Sequence, residues 1–215
     1  MVESSTKTKR SNGTTQARGR ARRESLLNSA AILLVEKDLE DITFLDIAEH
    51  ANIPKGSAYH FYANIMDLYS ALTTRIGEEL YNHLAQPIKD QNISHWHDVC
   101  NGMIERAVNF YHNHPAARQL LIGGKTPPQF KRADRDNDRR LGALLKQHLE
   151  SYFVLPQIPN ELDVFFYAVE IIDLMFVLSM LRENDITEAM TAEAKRAASA
   201  YLETYLPREL PRQPA

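Results

Sequence analysis

Thr43–Leu68, TFLDIAEHANIPKGSAYHFYANIMDL, reads as two short helices joined by a tight turn and followed by the start of a third. Thr43 suits an N-cap, because its hydroxyl can accept one of the backbone N–H groups left open at a helix start. Ile47, Ala48 and Ala51 fall on one face of the helix that follows. Asn52 stands where the chain must turn, and Asn tolerates the left-handed region. Pro54 cannot continue the first helix but suits the first turn of a second, expected over Lys55–Tyr62. Ala58 and Tyr62 are four apart and can face inward together, which leaves Lys55, Ser57, Tyr59 and His60 for the outer face.

Basic, hydroxyl-bearing and small polar side chains on a short projecting helix suit the DNA major groove, where they reach phosphates and base edges. By residue type alone an ordinary helical hairpin fits equally well. The order of residues separates the two. The run resembles the DNA-binding domain of the TetR family of bacterial repressors, whose pattern is met by Thr43, Ile47-Ala48, Asn52, Pro54, Gly56-Ser57-Ala58-Tyr59 and Tyr62. The segment upstream is similar too, with Leu26-Leu27, Ala30-Ala31 and Leu33-Leu34 before a break near Asp38, so the resemblance covers roughly residues 22–72. Four positions depart from the pattern. Asn52 and Asp38 stand where Gly is usual, Pro54 where Ser is commoner, and Ile65 where a phosphate-gripping Lys often stands. The first three are conformationally tolerable, and the fourth removes a phosphate contact. The resemblance implies DNA contacts from Lys55, Gly56, Ser57, Tyr59 and His60, with Thr43, Tyr62 and Asn64 on backbone phosphates.

The rest of the chain fits a globular body. Its 215 residues are enough to bury a real core, and 44% hydrophobic with 25% charged residues is ordinary for a soluble protein. Few glycines and few β-branched runs lean the composition to helix. Cys100 is the lone cysteine, which rules out an internal disulfide and fits a reducing, cytoplasmic setting; a small buried apolar role suits it better than a reactive thiol. The N-terminus is polar and basic with no apolar run of a secretory signal. Val164–Leu181 is the most apolar stretch, but Glu170 and Asp173 interrupt it, so it reads as a buried or interface helix and not a membrane span.

The net charge of −3 hides an asymmetry. Residues 1–23 hold seven Lys and Arg, among them Arg18, Arg20 and Arg22, against Glu3 alone; this arm carries +6 and the remainder −9. Its Ser, Thr, Asn, Gly and Gln content predicts disorder over residues 1–21. The arm reads either as a solubilising tail or, because it runs into the first helix of the DNA-binding unit, as a phosphate-tracking or minor-groove element.

Helical spacing continues to the end of the chain. The expected helices are 22–37, 64–84 capped by Asn64, 94–114 capped by Ser94, 116–122, 129–152, 160–182 and 187–206, followed by a loose Pro-rich tail over 207–215. The resemblance implies that this C-terminal part binds a small molecule in a helix-lined cavity and dimerises through its last two helices. The helix over 160–182 is apolar nearly all round, so it must be covered on most sides, and a second subunit is a natural cover. Trp96, Met103, Phe110 and Tyr111, with Phe166, are candidate cavity residues, although such residues at helical spacing are more often plain core. Glu170 and Asp173, a turn apart in apolar surroundings, fit an interface pair bonded to Arg or Lys better than contacts to a cationic or hydroxylated ligand.

Catalytic and metal readings fare poorly. No Gly-rich phosphate loop, nucleophile elbow or HExxH stands in the sequence. His95 and His97, and His112 and His114, are two apart and point different ways on a helix. Asp134, Asp136 and Asp138 resemble part of a calcium loop, but interleaved arginines and the missing Gly favour a solvated helix face. The sequence therefore predicts an all-α, non-enzymatic regulator with neither cofactor nor metal. A basic arm (1–21) precedes a three-helix helix-turn-helix domain (22–68). A helical ligand-binding and dimerisation domain (69–206) and a flexible tail (207–215) follow. The expected function is a homodimeric repressor released from a palindromic operator by a small-molecule effector. The alternative is a non-inducible DNA-binding structural or partner-recruiting protein of the same fold.

Overall fold

The computed structural model describes residues 9–88, 93–127 and 130–214. Among the described residues all regular structure is helical apart from an isolated antiparallel bridge between Phe153 and Arg212. The chain divides into two compact units, Met1–Leu72 and Thr73–Ala215, and the division falls inside one helix.

The N-terminal unit consists of α1 (Lys9–Glu36), α2 (Phe44–His50), α3 (Lys55–Ala58) and the first turns of α4 (Ile65–Leu84), with a short 3-10 turn over Leu39–Asp41. The stripe Leu26, Leu27, Ala30, Leu33 and Leu34 is buried as its spacing predicts, and so are Phe44, Ile47, Ala48, Ala58, Leu68 and Leu72. A reciprocal capping box between Thr43 and Asp46 starts α2. Asn52 makes the turn in the left-handed region at φ 53°. Asn64 starts α4, its Oδ1 accepting the Asp67 N–H at 2.9 Å.

Two expectations are corrected here. The arm predicted to be disordered is helical from Lys9 onward; residues 1–8 lie outside the described residues. A helix held by Leu26–Leu34 propagates at low cost once nucleated, and no proline stands upstream to stop it. The second helix of the hairpin is regular only over Lys55–Ala58, and Tyr59–Tyr62 continue as hydrogen-bonded turns, with Phe61 N–H donating to Ala58 O at 2.9 Å and Tyr62 N–H to the same oxygen at 3.2 Å.

The C-terminal unit adds α5 (Trp96–Asn113), α6 (Pro115–Leu120), α7 (Lys131–Glu150), α8 (Glu161–Glu183) and α9 (Glu188–Leu202) to the rest of α4. The Asp98 carboxylate, not Ser94, gathers the start of α5: it accepts the N–H groups of Ser94 and His95, both at 2.8 Å. α8 packs between α7 and α9. Gly142 lets α7 meet α8 backbone to backbone, since a Cβ there would lie 2.7 Å from Phe166 N. By length and composition α8 is apolar enough to cross a membrane. Its Val164, Phe165, Ala168, Val169 and Phe176 are instead buried inside the unit.

The tail is also corrected. Residues 207–214 are not loose but strap the end of α7: Val154 N–H donates to Pro211 O at 2.8 Å, Gln213 N–H to Tyr152 O at 2.9 Å, and the Arg212 guanidinium lies over the Phe153 ring. Backbone pairing to a fixed partner orders a segment that its prolines alone would leave extended and solvated.

Candidate functional site

The hairpin presents one polar face. Lys55, Gly56, Tyr59 and His60 are exposed and Ser57 is half-buried, while Ala58 between them is fully buried and anchors the segment. Tyr59 leans on Phe44 at the start of α2, with ring centroids 4.7 Å apart. Gly56 is informative because a Cβ built there meets nothing within 4 Å. The fold therefore does not require glycine at this position, which is what a backbone kept bare for close approach by a partner looks like.

The C-terminal half of the basic arm comes to the same face. Arg18, Arg20 and Arg22 are exposed, the Arg22 guanidinium approaches Ser57 Oγ at 3.5 Å, and Gly19 lies beside the Phe61 ring. Thr43 and Asn64 are exposed, but each side chain is engaged as a helix cap. Tyr62 departs from its expected phosphate role. It is 7% exposed with its hydroxyl shielded, because the four-residue step from Ala58 turns both into the core. The phenol of Tyr69, also buried, is pushed well above the usual tyrosine value by burial.

The C-terminal unit holds an apolar cavity of about 50 Å³ among α4, α5, α7, α8 and α9. Met103, Tyr111 and Asp173 line it. Trp96, Phe110, Phe166 and Glu170 do not. Trp96 is buried with Nε1 donating to Pro207 O at 3.0 Å, Phe110 stacks on His114 at 4.0 Å, and Phe166 lies under the Arg139 guanidinium. Glu170 is ion-paired with Arg135 of α7 and faces a separate cleft on the outer side of α8. The sequence reading missed Leu80, Leu84, Cys100, Ile104 and Phe176 as lining residues, and above all Asp138, which is 6% exposed and not on a solvated face. The steps Asp138, Leu141, Leu145 and Leu149 share one face of α7, and that periodicity was the available signal. Burial pushes the Cys100 thiol up to about 12, so it stays protonated and acts as an apolar wall. The arrangement can enclose an apolar group beside two carboxyl side chains. At its present size, far below the roughly 300–1,000 Å³ of drug-sized sites, it must widen to hold a larger molecule.

Comparison with known proteins assigns both units. Residues 26–72 match the family described as bacterial regulatory proteins, tetR family, and residues 94–206 match the tetracyclin repressor-like C-terminal domain. A search of curated proteins finds no match. Among solved structures, a TetR-family transcriptional regulator from Streptomyces coelicolor is 22% identical with a TM-score of 0.67, covering 86% of this chain and 99% of its own. A TetR transcriptional regulator from Rhodococcus sp. RHA1 is 16% identical at 0.62, over 85% of this chain and 96% of its own. The multidrug binding protein EbrR, complexed with imidazole, is 15% identical at 0.58, over 90% and 97%. At these identities the structural likeness shows the fold, while the two family matches together span most of the described helices. The chain belongs to the TetR family of bacterial transcriptional regulators.

Proposed function

We propose that this regulator is a homodimeric repressor that holds a palindromic operator and releases it when a small molecule occupies the C-terminal cavity. The observation that carries the DNA reading is the polar face of α3 and the turn after it: Lys55, Ser57, Tyr59 and His60 surround a Gly56 whose missing side chain the fold does not need. In this reading α3 enters the major groove, and Arg18, Arg20 and Arg22 supply charge to the flanking backbone. Thr43 and Asn64 are the phosphate contacts that remain; Tyr62 supports the face from within.

The dimer reading rests on α8. Tyr167, Leu174, Leu178 and Leu181 are exposed at helical spacing on one side of it, 49%, 52%, 37% and 59% accessible. A contiguous apolar stripe of this kind marks a protein interface, and a two-fold axis through it makes the surface self-complementary. Two copies of α3 about one DNA turn apart then read a palindrome.

Release requires an effector that binds the operator-competent arrangement less tightly than another one. The apolar cavity supports an effector with a mainly apolar body, and Asp138 and Asp173 are the carboxyl side chains in its lining. Proteins of the same fold include the multidrug binding protein EbrR and a flavonoid-responsive regulator, which is the range of molecules this reading places here.

The test is fluorescence anisotropy of the purified protein on the DNA immediately upstream of its own gene, at physiological salt with excess unrelated DNA. Tight, competitor-resistant binding is expected, and compounds are then screened by release. Binding abolished by the competitor overturns site-specific repression at this locus and favours a DNA-coating role.

A further inference from the structure

Asp173 of α8 borders two hollows of the C-terminal unit. It lines the apolar inner cavity of about 50 Å³ and also the outer cleft of about 540 Å³, and among the described residues no other side chain is common to the two linings. Helix geometry gives the reason. At about 100° of turn per residue, Ile172 and Phe176 fall on one side of Asp173 and Val177 and Leu181 on the other. The first pair lines the cavity and the second the cleft. Phe166, Glu170 and Asp173 follow one another at helical spacing on the side of α8 that meets α7, where Phe166 lies against Gly142 and Glu170 is bonded to Arg135. α7 repeats the arrangement: Arg135 lines the cleft, and Asp138, three residues on, lines the cavity. Both carboxyl side chains of a mostly apolar lining therefore stand along one seam.

The seam is tight at one end and lightly closed at the other. At Gly142 the helices touch backbone to backbone, and a Cβ there would lie 2.7 Å from Phe166 N. One turn further along α8 the closure is the Arg135–Glu170 ion pair, whose arginine side chain is 50% exposed. An exposed pair contributes only about 0–1 kcal/mol, so this is the end that can part. The facing wall of the cleft is fixed, because Thr126 Oγ1 donates to Gly123 O at 2.8 Å and staples the loop after α6.

We propose that the seam between α7 and α8 is the entry port from the cleft to the cavity, that Asp173 is its gate, and that it admits slim apolar molecules carrying a positive charge in preference to negatively charged ones. The cleft falls within the roughly 300–1,000 Å³ of small-molecule sites and gathers the molecule at the surface. Asp138, Glu170 and Asp173 stand along the passage against Arg135 alone, and Arg135 is committed to Glu170, so the local field attracts cations and repels anions. Tyr167 and Leu174 of the exposed stripe also border the cleft, so a second copy seated on that stripe would form its outer rim. The proposal rests on the effector reading of the cavity for its use, whereas the passage itself is measured with neither effector nor DNA.

Cys100, the single cysteine, lines the cavity and is 2% exposed, so its thiol reports what gets in. The full chain is treated with two reagents of similar size and opposite fixed charge, the trimethylammonium-ethyl and the sulfonatoethyl methanethiosulfonates. Mixed-disulfide formation at Cys100 is followed by mass spectrometry at one pH, and each rate is divided by the rate on the same protein unfolded in urea. The expected result is modification at a rate that low urea does not change, as local opening requires, with the cation at least tenfold faster than the anion. Asp173→Ala should speed both reagents at least fivefold and shrink the preference. Asp173→Asn keeps the shape of the side chain and should shrink the preference. Glu170→Gln weakens the closure at the surface end, should speed both reagents, and decides the matter if neither Asp173 variant folds. Modification that follows only global unfolding, equal rates for the two charges, or rates and preference indifferent to Asp173 and Glu170 would overturn the proposal. If no compound releases DNA while Cys100 behaves as expected, the effector reading fails and the port remains.

Discussion

Thr43 and Asp46 cap each other. The Asp46 carboxylate accepts the Thr43 N–H at 2.8 Å and the Thr43 hydroxyl at 2.7 Å, while that hydroxyl accepts the Asp46 N–H at 3.2 Å. The pair fixes the start of α2, the helix on which Tyr59 leans through Phe44. Thr43→Ala should cost about 1 kcal/mol of stability, the usual loss of a cap. The Thr43 hydroxyl, and then its N–H, hold the Asp46 carboxyl below the ordinary carboxylate value. A depressed folded value gives stability that is present above the unfolded value, about 4, and lost as pH falls through the folded one. Melting curves of the wild type and Asp46→Asn should therefore differ at neutral pH and converge on acidification below about pH 4. A constant gap across that window would remove the carboxylate from the cap.

Gly56 offers a test that separates folding from the proposed DNA contact. Alanine there meets open space and replaces a poor helix former, so Gly56→Ala should leave stability unchanged or raise it by up to about 1 kcal/mol. It should nevertheless weaken operator binding tenfold or more if the backbone approaches DNA at this point. Unchanged affinity in the anisotropy assay would take Gly56 out of the interface. Tyr59→Phe is the companion variant, since it keeps the ring on Phe44 and removes only the hydroxyl.

These two residues also show what the sequence made legible. The hairpin was readable because capping, turn and inward positions follow local rules: Thr43, Asn52 and Ala58 stand where helix geometry puts them. Tyr62 illustrates the limit. The spacing that predicted its inward orientation is incompatible with a phosphate contact, and packing decides between the two. In the C-terminal unit the helices were readable from periodicity, but the cavity was not. It forms where five helices meet, so its lining is set by which faces converge. Trp96 and Phe110 are as apolar as Met103 and Tyr111, and only tertiary placement separates them. The strap after Leu206 was missed because long-range backbone pairing leaves no mark in local composition.

The exposed stripe on α8 predicts a charge-sensitive interface. Leu174 is 52% exposed, so Leu174→Glu should leave the single chain folded. In a dimer sealed by this stripe it buries a carboxylate without a partner, and dissociation should strengthen by roughly 100-fold or more. Light scattering across a dilution series reads the result. A dimer of unaltered stability would place the interface elsewhere, and loss of operator affinity together with dimerisation would tie the two.

Ala198 is 1% exposed and lines the apolar cavity from α9. Ala198→Val adds bulk to a space of only about 50 Å³. Overpacking should cost about 1–3 kcal/mol, yet operator binding should persist because the substitution lies in the C-terminal unit. An effector found by release should then bind at least tenfold more weakly to the variant. Full response in a protein that has lost the cavity volume would assign the effector to a different site.

The C-terminal strap can be tested with the chain's own reporter. Trp96 is the single tryptophan, fully buried, and its Nε1–H donates to Pro207 O at 3.0 Å. Arg212 donates to the Ile93 carbonyl just before α5 and covers the Phe153 ring, and Gln213 donates to the Glu150 and Phe153 carbonyls at the end of α7. Truncation after Leu206 removes all of these partners at once and leaves the indole donor unsatisfied or wet. An orphaned buried donor alone costs about 1–3 kcal/mol, so the melting temperature should fall by several degrees and the Trp96 emission should shift to the red. Arg212→Ala should produce part of the loss of stability with less change in emission, because Pro207 still reaches the indole. A tail that merely trails in solvent would give identical melting curves and spectra for all three proteins.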